Sequence, residues 1–311
     1  MELITIDQVR AAARRVAPLA VRTPLLPCPW YEGDLWLKPE SLQPVGAFKI
    51  RGAANALALL DDAARAGGVV THSSGNHGQA LAYAARAEGV ACTVVVPEGA
   101  PEVKVAAMRG FGARIVSAAP EDRQSVAEAL AAEHGAHLIP PFDHPDVLAG
   151  QGTVGLEIVA DLPEPDVVLV PVGGGGLASG VATAVRSLSP FTKVVGVQPE
   201  LAADAAESLG AGRLITWEPE RTRRTIADGV RVGLSELTFA HLHKRLDGML
   251  TVTEEEIRAA MGTLLRRARL VAEPSGALAV AAVLSGRAPQ GRTVAVVSGG
   301  NVDPELLRAV L

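Results

Sequence analysis

The chain has 311 residues, 48 % of them hydrophobic and 20 % charged, with a formal net charge of -5 at neutral pH. That length and apolar content allow a large core shared by two lobes, and no apolar run approaches the roughly 20 residues that a membrane span needs. The acidic balance, with no basic stripe, excludes the electrostatic footprint of a nucleic-acid binder.

The opening stretch MELITIDQVRAAARR carries acidic residues early and has no apolar h-region, so no signal peptide is expected. Two cysteines, Cys28 and Cys92, make no disulfide framework and read as packing residues, which fits a reducing, cytoplasmic location. Lysine is scarce: Lys38, Lys49, Lys104, Lys193 and Lys244 are the only primary-amine side chains.

In chain order, short β-branched runs at 69–72, 92–96, 114–117, 167–172, 194–197 and 293–298 predict buried strands. Alanine-rich stretches at 79–88, 102–111, 121–134, 152–161, 177–188, 254–269 and 276–284 predict the helices between them. Thr253 and Glu256 form a capping box at the start of one helix. Such alternation predicts an α/β fold of two lobes, each a mostly parallel sheet flanked by helices, facing one cleft. Pro140-Pro141 marks one crossing between lobes.

Four segments carry chemistry. Lys49 lies in Gly46-Ala47-Phe48-Lys49-Ile50-Arg51-Gly52 with an apolar residue on each side. Apolar surroundings lower an amine's pKa and free it to attack a carbonyl, whereas a lysine at a helix start is otherwise a surface residue. Ser73-Ser74-Gly75-Asn76-His77-Gly78, at a strand-to-helix junction, offers hydroxyls, an amide and an imidazole suited to a carboxylate; helix capping accounts for only one of them. Gly173, Gly174, Gly175 and Gly176 follow the strand VVLVPV, where converging amides and a helix N-terminus suit a phosphate. Glycines alone fit a tight turn equally well. Ser298-Gly299-Gly300-Asn301 ends another buried strand, as an ordinary turn also would.

Together, FKIRGA, THSSGNHGQAL, AGQGT, PVGGGGL, TIADGV, TVTEEEI, EPSGA and SGGN occur in an order that resembles the threonine dehydratase and serine racemase group of pyridoxal-phosphate enzymes, with a tryptophan-synthase-β-like fold. The resemblance implies that Lys49 carries pyridoxal 5'-phosphate as an aldimine, with Phe48 beside the ring and Asn76 on its hydroxyl oxygen. It places the phosphate on Gly173 to Gly176 with Leu177, and Ser298 opposite the pyridine nitrogen. Ser73, Ser74, Gly75 and His77 would hold the substrate, and Ser74 is the second base in the racemases of the group. Residues 45–143 would form a small α/β domain, and 1–44 with 144–311 a large, discontinuous cofactor-binding domain. A homodimer or higher homo-oligomer acting on a small amino acid is the family expectation.

Two departures stand out. Ala47 occupies a position where many relatives have serine. Gln198, Ala202 and Asp204 align with a divalent-cation site of serine racemases, but Gln198 replaces a glutamate, leaving a weakened Mg2+ or Ca2+ site or a loop without metal. His241 and His243 have no third ligand and read as helix surface. The leading expectation is therefore an L-threonine and L-serine dehydratase that releases a 2-oxo acid and ammonia. Serine racemase on the same scaffold is the alternative, and a non-catalytic phosphate-ligand binding protein is the second.

Overall fold

The β-branched runs become strands, and the alanine-rich stretches become the helices that cover them. The computed structural model describes residues 2–311. Its strands are β1 (Leu26–Pro27), β2 (Leu35–Pro39), β3 (Val69–His72), β4 (Cys92–Pro97), β5 (Arg114–Ala118), β6 (His137–Leu138), β7 (Val167–Pro171), β8 (Lys193–Pro199), β9 (Gly248–Val252) and β10 (Thr293–Val297). A six-stranded sheet runs β1-β2-β10-β7-β8-β9 and a four-stranded sheet runs β5-β4-β3-β6. Every pairing is parallel except β1 with β2. Parallel neighbours require long crossovers, and helices supply them. No helix among the described residues is long and apolar enough to cross a membrane.

The helices are α1 (Ile6–Val16), α2 (Lys49–Ala58), α3 (Asp62–Gly67), α4 (Asn76–Ala87), α5 (Glu102–Gly110), α6 (Arg123–His134), α7 (Pro145–Asp161), α8 (Gly176–Leu188), α9 (Asp204–Ala211), α10 (Pro219–Thr222), α11 (Glu236–Arg245), α12 (Glu254–Thr263), α13 (Pro274–Leu284) and α14 (Pro304–Ala309). Alternation along β7 divides the larger core: Val167 and Leu169 pack with α12 and α13, while Val168 and Val170 pack with α7 and α8. A separate core joins β3 and β4 to α2, α4 and α5. Glycines bring α7 against α8, since a Cβ on Gly180 would lie 2.4 Å from Gly152 N. The AGQGT segment thus serves close helix packing.

The structure corrects several expectations. Strands β1, β2, β6 and β9 and helices α1, α2, α3, α9, α10, α11 and α14 lie outside the β-branched runs and alanine-rich stretches that predict the other elements. The helix expected over 254–269 stops at Thr263 and continues as a π-helical turn, Leu264–Ala268, closed by Arg269 at φ 61°. His241 is not on the surface: it is buried, its Nε2 accepts from Ile4 N–H at 2.9 Å, and its Nδ1 donates to the Leu237 carbonyl at 2.7 Å.

Beneath α2 lies a buried ionic network. Arg51, 1 % exposed, donates through Nε and Nη2 to Glu40 at 2.7 and 2.8 Å. Nη1 and Nη2 also donate to Glu157 at 2.7 and 2.8 Å. Lys38, fully buried, donates to Glu157 and to the Thr23 carbonyl, both at 2.6 Å. Two cations thus face two carboxylates. Burial alone would raise the Glu40 carboxyl, but Arg51 overrides it and holds the group below the usual carboxylate range.

Removing one member leaves an uncompensated buried charge. Arg51→Met should therefore destabilise the fold by about 3–5 kcal/mol, measurable as a lower urea or thermal midpoint. Because Glu40 has a depressed folded value, its contribution is complete above the ordinary glutamate range and is lost as the pH falls from that range through the lower folded value. The difference between wild type and variant should accordingly shrink in acid.

Candidate active site

Parallel α/β sheets open a crevice at the carboxyl ends of their strands. Here both sheets contribute to one cavity of about 350 Å³. His72 at the end of β3, Pro171 at the end of β7 and Ser298 just after β10 all line it.

Lys49 is the first residue of α2 and reaches the cavity half-buried. Its position is fixed from both sides. Phe48 N–H donates to the Ser298 carbonyl at 3.1 Å, and Ala47 bridges Gly299. The Lys49 amine donates to the Pro141 carbonyl at 2.7 Å and lies 5.1 Å from the centre of the Phe48 ring. Burial pushes its pKa down to about 8, with Glu273 pulling the other way. Near neutrality the amine is still mostly protonated, but its free fraction is far larger than that of an exposed lysine.

Two helix N-termini open at the same cavity. Gly175, at φ 84°, precedes α8, and no side chain caps that helix. The loop needs glycine for close approach as well: a Cβ on Gly173 would lie 2.7 Å from Val230 Cα, and one on Gly174 would lie 2.6 Å from the Phe142 ring. Gly75 precedes α4, likewise without a side-chain cap, and Ser73 Oγ accepts from Gly75 N–H at 3.2 Å. Unfilled amides at a helix start favour anions. Ser73, Ser74 and Asn76 line this end.

His77 lies beside them, buried. Its Nε2 donates to the Ile139 carbonyl at 3.1 Å, which leaves Nδ1 a bare acceptor without a protein partner. Burial, followed by the nearby Lys49 charge, pushes His77 down to about 3, so it stays neutral.

The remaining wall is polar. Ser298 Oγ makes only a long contact, 3.4 Å, to the Ser275 carbonyl, and Ser275 Oγ accepts from Gly229 N–H at 2.9 Å. Asn76 Nδ2 donates to Glu273 Oε1 at 2.6 Å. Burial and then the Asp228 charge push Glu273 up to about 8. Across the mouth, Lys104 of α5 pairs with Asp228 at 2.5 Å. Sequence reading assigned no role to Glu273, Asp228 or Lys104. The available signals were EPSGA, which sets an acid immediately before the proline that starts α13, and TIADGV, which contains Asp228.

These residues fit pyridoxal 5'-phosphate. The uncapped start of α8 suits a phosphate, Phe48 offers an aromatic wall, and a depressed lysine amine suits an aldehyde. The cation expectation fares differently. Gln198, Ala202 and Asp204 do come together, but Gln198 Oε1 accepts from Ala206 N–H at 2.9 Å and its Nε2 donates to Asp204 Oδ1 at 3.2 Å. Both ends of the amide are thus engaged, and these residues do not fit a Mg2+ or Ca2+ ion. Among the described residues no cluster of three or more His, Cys, Asp or Glu could hold a metal.

A family model described as "Pyridoxal-phosphate dependent enzyme" matches residues 16–299. The chain is 43 % identical to L-threo-3-hydroxyaspartate ammonia-lyase of Saccharomyces cerevisiae, over 96 % of this chain and 94 % of that one. Its fold matches the crystal structure of a threonine deaminase from T.th. with a TM-score of 0.91 at 47 % identity, covering 96 % of this chain and 99 % of the other. Maize serine racemase matches with a TM-score of 0.94 at 37 % identity, covering 99 % and 97 %.

Two outcomes test the site. In cofactor-free protein, reductive labelling of Lys49 by an uncharged aldehyde should rise with pH through about 8 rather than near the ordinary 10.5; peptide mapping across a pH series measures this. EDTA should leave the melting temperature unchanged, because the Gln198 amide already satisfies Asp204; a large shift would show a bound cation there.

Proposed function

Because the chain belongs to the pyridoxal-phosphate dependent enzyme family, we propose that it is a dehydratase of L-threonine and L-serine that releases a 2-oxo acid and ammonia. Membership of a family of enzymes sets aside the non-catalytic phosphate-binding reading. The observation that carries the proposal is the Lys49 amine, desolvated at the cavity wall between two uncapped helix N-termini. When bound, the cofactor supplies an electron sink conjugated to the substrate α-carbon.

The protein's own groups supply the rest. Gly173 to Gly176 and Leu177 hold the phosphate at the start of α8, and Phe48 flanks the ring. Asn76 donates to the ring oxygen. Ser298 offers the ring nitrogen a neutral hydroxyl, which supports less charge there than a carboxylate would. That suits a reaction in which a leaving β-hydroxyl drains the developing charge. Ser73, Ser74, Gly75 and the α4 amides receive the substrate carboxylate, with His77 bracing the same turn through Ile139.

Lys49 is the base for the α-proton. Lys104 is paired with Asp228, and His77 is a poor base at its depressed pKa. In net terms the β-hydroxyl departs as water with the proton that Lys49 removes, and hydrolysis of the released imine consumes one water and yields the 2-oxo acid and ammonia. Racemisation is the second reading, and the observation favouring it is that Ser74 lines the same cavity as Lys49 and offers a second hydroxyl proton donor.

The test has two parts. Borohydride reduction of the loaded protein should fix the cofactor on Lys49; mapping to Lys38, Lys104, Lys193 or Lys244 would overturn the assignment. With L-threonine and L-serine, oxo acid should exceed D-serine. Ser74→Ala should retain substantial oxo-acid formation while losing D-serine, and a parallel fall in both would assign Ser74 to substrate binding alone.

A further inference from the structure

We propose that Glu273 and Asn301 are positioning residues that lock the Asn76 amide, so that the cavity presents a hydrogen-bond donor, and no acceptor, at that point. The inference rests on the cofactor reading above and deepens it, because it states which form of the ring oxygen the site selects.

A backbone carbonyl can only accept. Asn301 Nδ2 donates to the Val45 carbonyl at 2.8 Å, which fixes which end of the Asn301 amide is nitrogen. The same nitrogen lies 2.8 Å from Asn76, so the Asn76 atom facing it is the oxygen, Oδ1. Asn76 must then turn Nδ2 the other way, where Glu273 Oε1 accepts at 2.6 Å. An amide nitrogen carries two protons. One is held by Glu273, and the second remains for the cavity that Asn76 lines.

The surrounding backbone is shaped for this relay. A Cβ on Gly299 would lie 2.3 Å from Glu273 Oε1, and one on Gly46 would lie 2.4 Å from Asn301 Oδ1. Gly46 also sits at φ 71°, where a side chain is disfavoured. Main-chain bonds tie the same pieces together: Glu273 N–H donates to the Gly299 carbonyl at 3.0 Å, and Gly300 N–H to the Gly46 carbonyl at 2.8 Å. The relay joins the loop before α2, the start of α4, the start of α13 and the loop after β10. Lys49 follows the first of these, so one set of bonds registers both the amine and the donor.

The consequence is selectivity for an acceptor oxygen. A hydroxyl that keeps its proton as a donor finds no acceptor on Asn76, whereas an ionised ring oxygen receives a charge-assisted bond. Free rotation of Asn76 would allow either, and the relay removes that choice.

The test is binding to cofactor-free, full-length protein, followed by absorbance titration with pyridoxal 5'-phosphate and with its 3-deoxy analogue, which lacks the ring hydroxyl. Wild type should prefer the natural cofactor by about tenfold or more, as expected for a hydrogen bond to a charged group. Glu273→Ala and Asn301→Ala should reduce the preference to within about twofold, by weakening the natural cofactor and leaving the analogue unchanged. Glu273→Gln should retain it, because its amide oxygen still accepts from Asn76. Should Glu273→Ala fail to fold by melting analysis, Asn301→Ala, whose side chain lies behind Asn76, decides alone. A wild type without preference, or an Asn301→Ala variant that keeps the full preference, overturns the relay. Borohydride capture on Lys49 separates the two readings: capture without discrimination overturns the relay alone, and absence of capture overturns the cofactor reading and the relay with it.

Discussion

The site depends on a constraint two residues away from its reactive amine. Arg51 is held in a fork between Glu40 and Glu157, and Lys38 completes the neutralisation of the second carboxylate. Charges so deeply buried are costly, and they persist because every cation has a matched anion and most remaining protons find oxygens, among them those of Thr153 and Val21. The geometry ties the first turn of α2 to β2, to α7 and to the segment before β1. A helix anchored this way cannot rotate, so Lys49 at its first position keeps one direction.

Around that fixed amine the fold arranges opposite tendencies. Two helix N-termini favour anions at either end of the cavity, while burial disfavours charge on the side chains between them. Lys49 and Glu273 respond in complementary directions, the amine toward losing its proton and the carboxyl toward keeping one. Lys104 and Asp228 neutralise each other at the mouth. Side-chain charge in the interior is thereby reduced before a ligand arrives, and much of the anion-binding capacity resides in backbone amides. Such donors are preorganised by secondary structure and need no rearrangement when a phosphate or carboxylate binds.

Gln198 shows how one atom changes a local solution. A carboxylate at this position beside Asp204 would place two like charges in a buried corner and call for a cation. The amide instead donates to Asp204 and accepts from the start of α9, so a hydrogen bond closes the same corner. Relatives named for 3-hydroxyaspartate, threonine and serine chemistry match this chain over nearly its whole length.

Local features were legible in the chain alone. Strands β3, β4, β7, β8 and β10 announced themselves through β-branched runs, because a strand buried on both faces must be apolar along its length; β5, at a sheet edge with Arg114 and Ser117 exposed, was legible only through Ile115 and Val116 and is not the buried strand expected. The segments bearing Lys49, Asn76, Gly173 to Gly176 and Ser298 were legible for a related reason, as each sits at a junction whose glycines and polar residues are adjacent in sequence. Short or half-exposed elements such as β6 and β9 had no such period to reveal them. The partners of the polar groups emerged only in three dimensions. Glu273 meets Asn76 across 197 residues, and Asn301 meets it across 225. Arg51 finds Glu157 across 106, and His241 is drawn inside by the amide of Ile4. A charged or polar side chain carries no mark of whether it will be solvated or paired. That depends on which distant groups the chain brings within about 3 Å, and hydrogen bonds act only at that range.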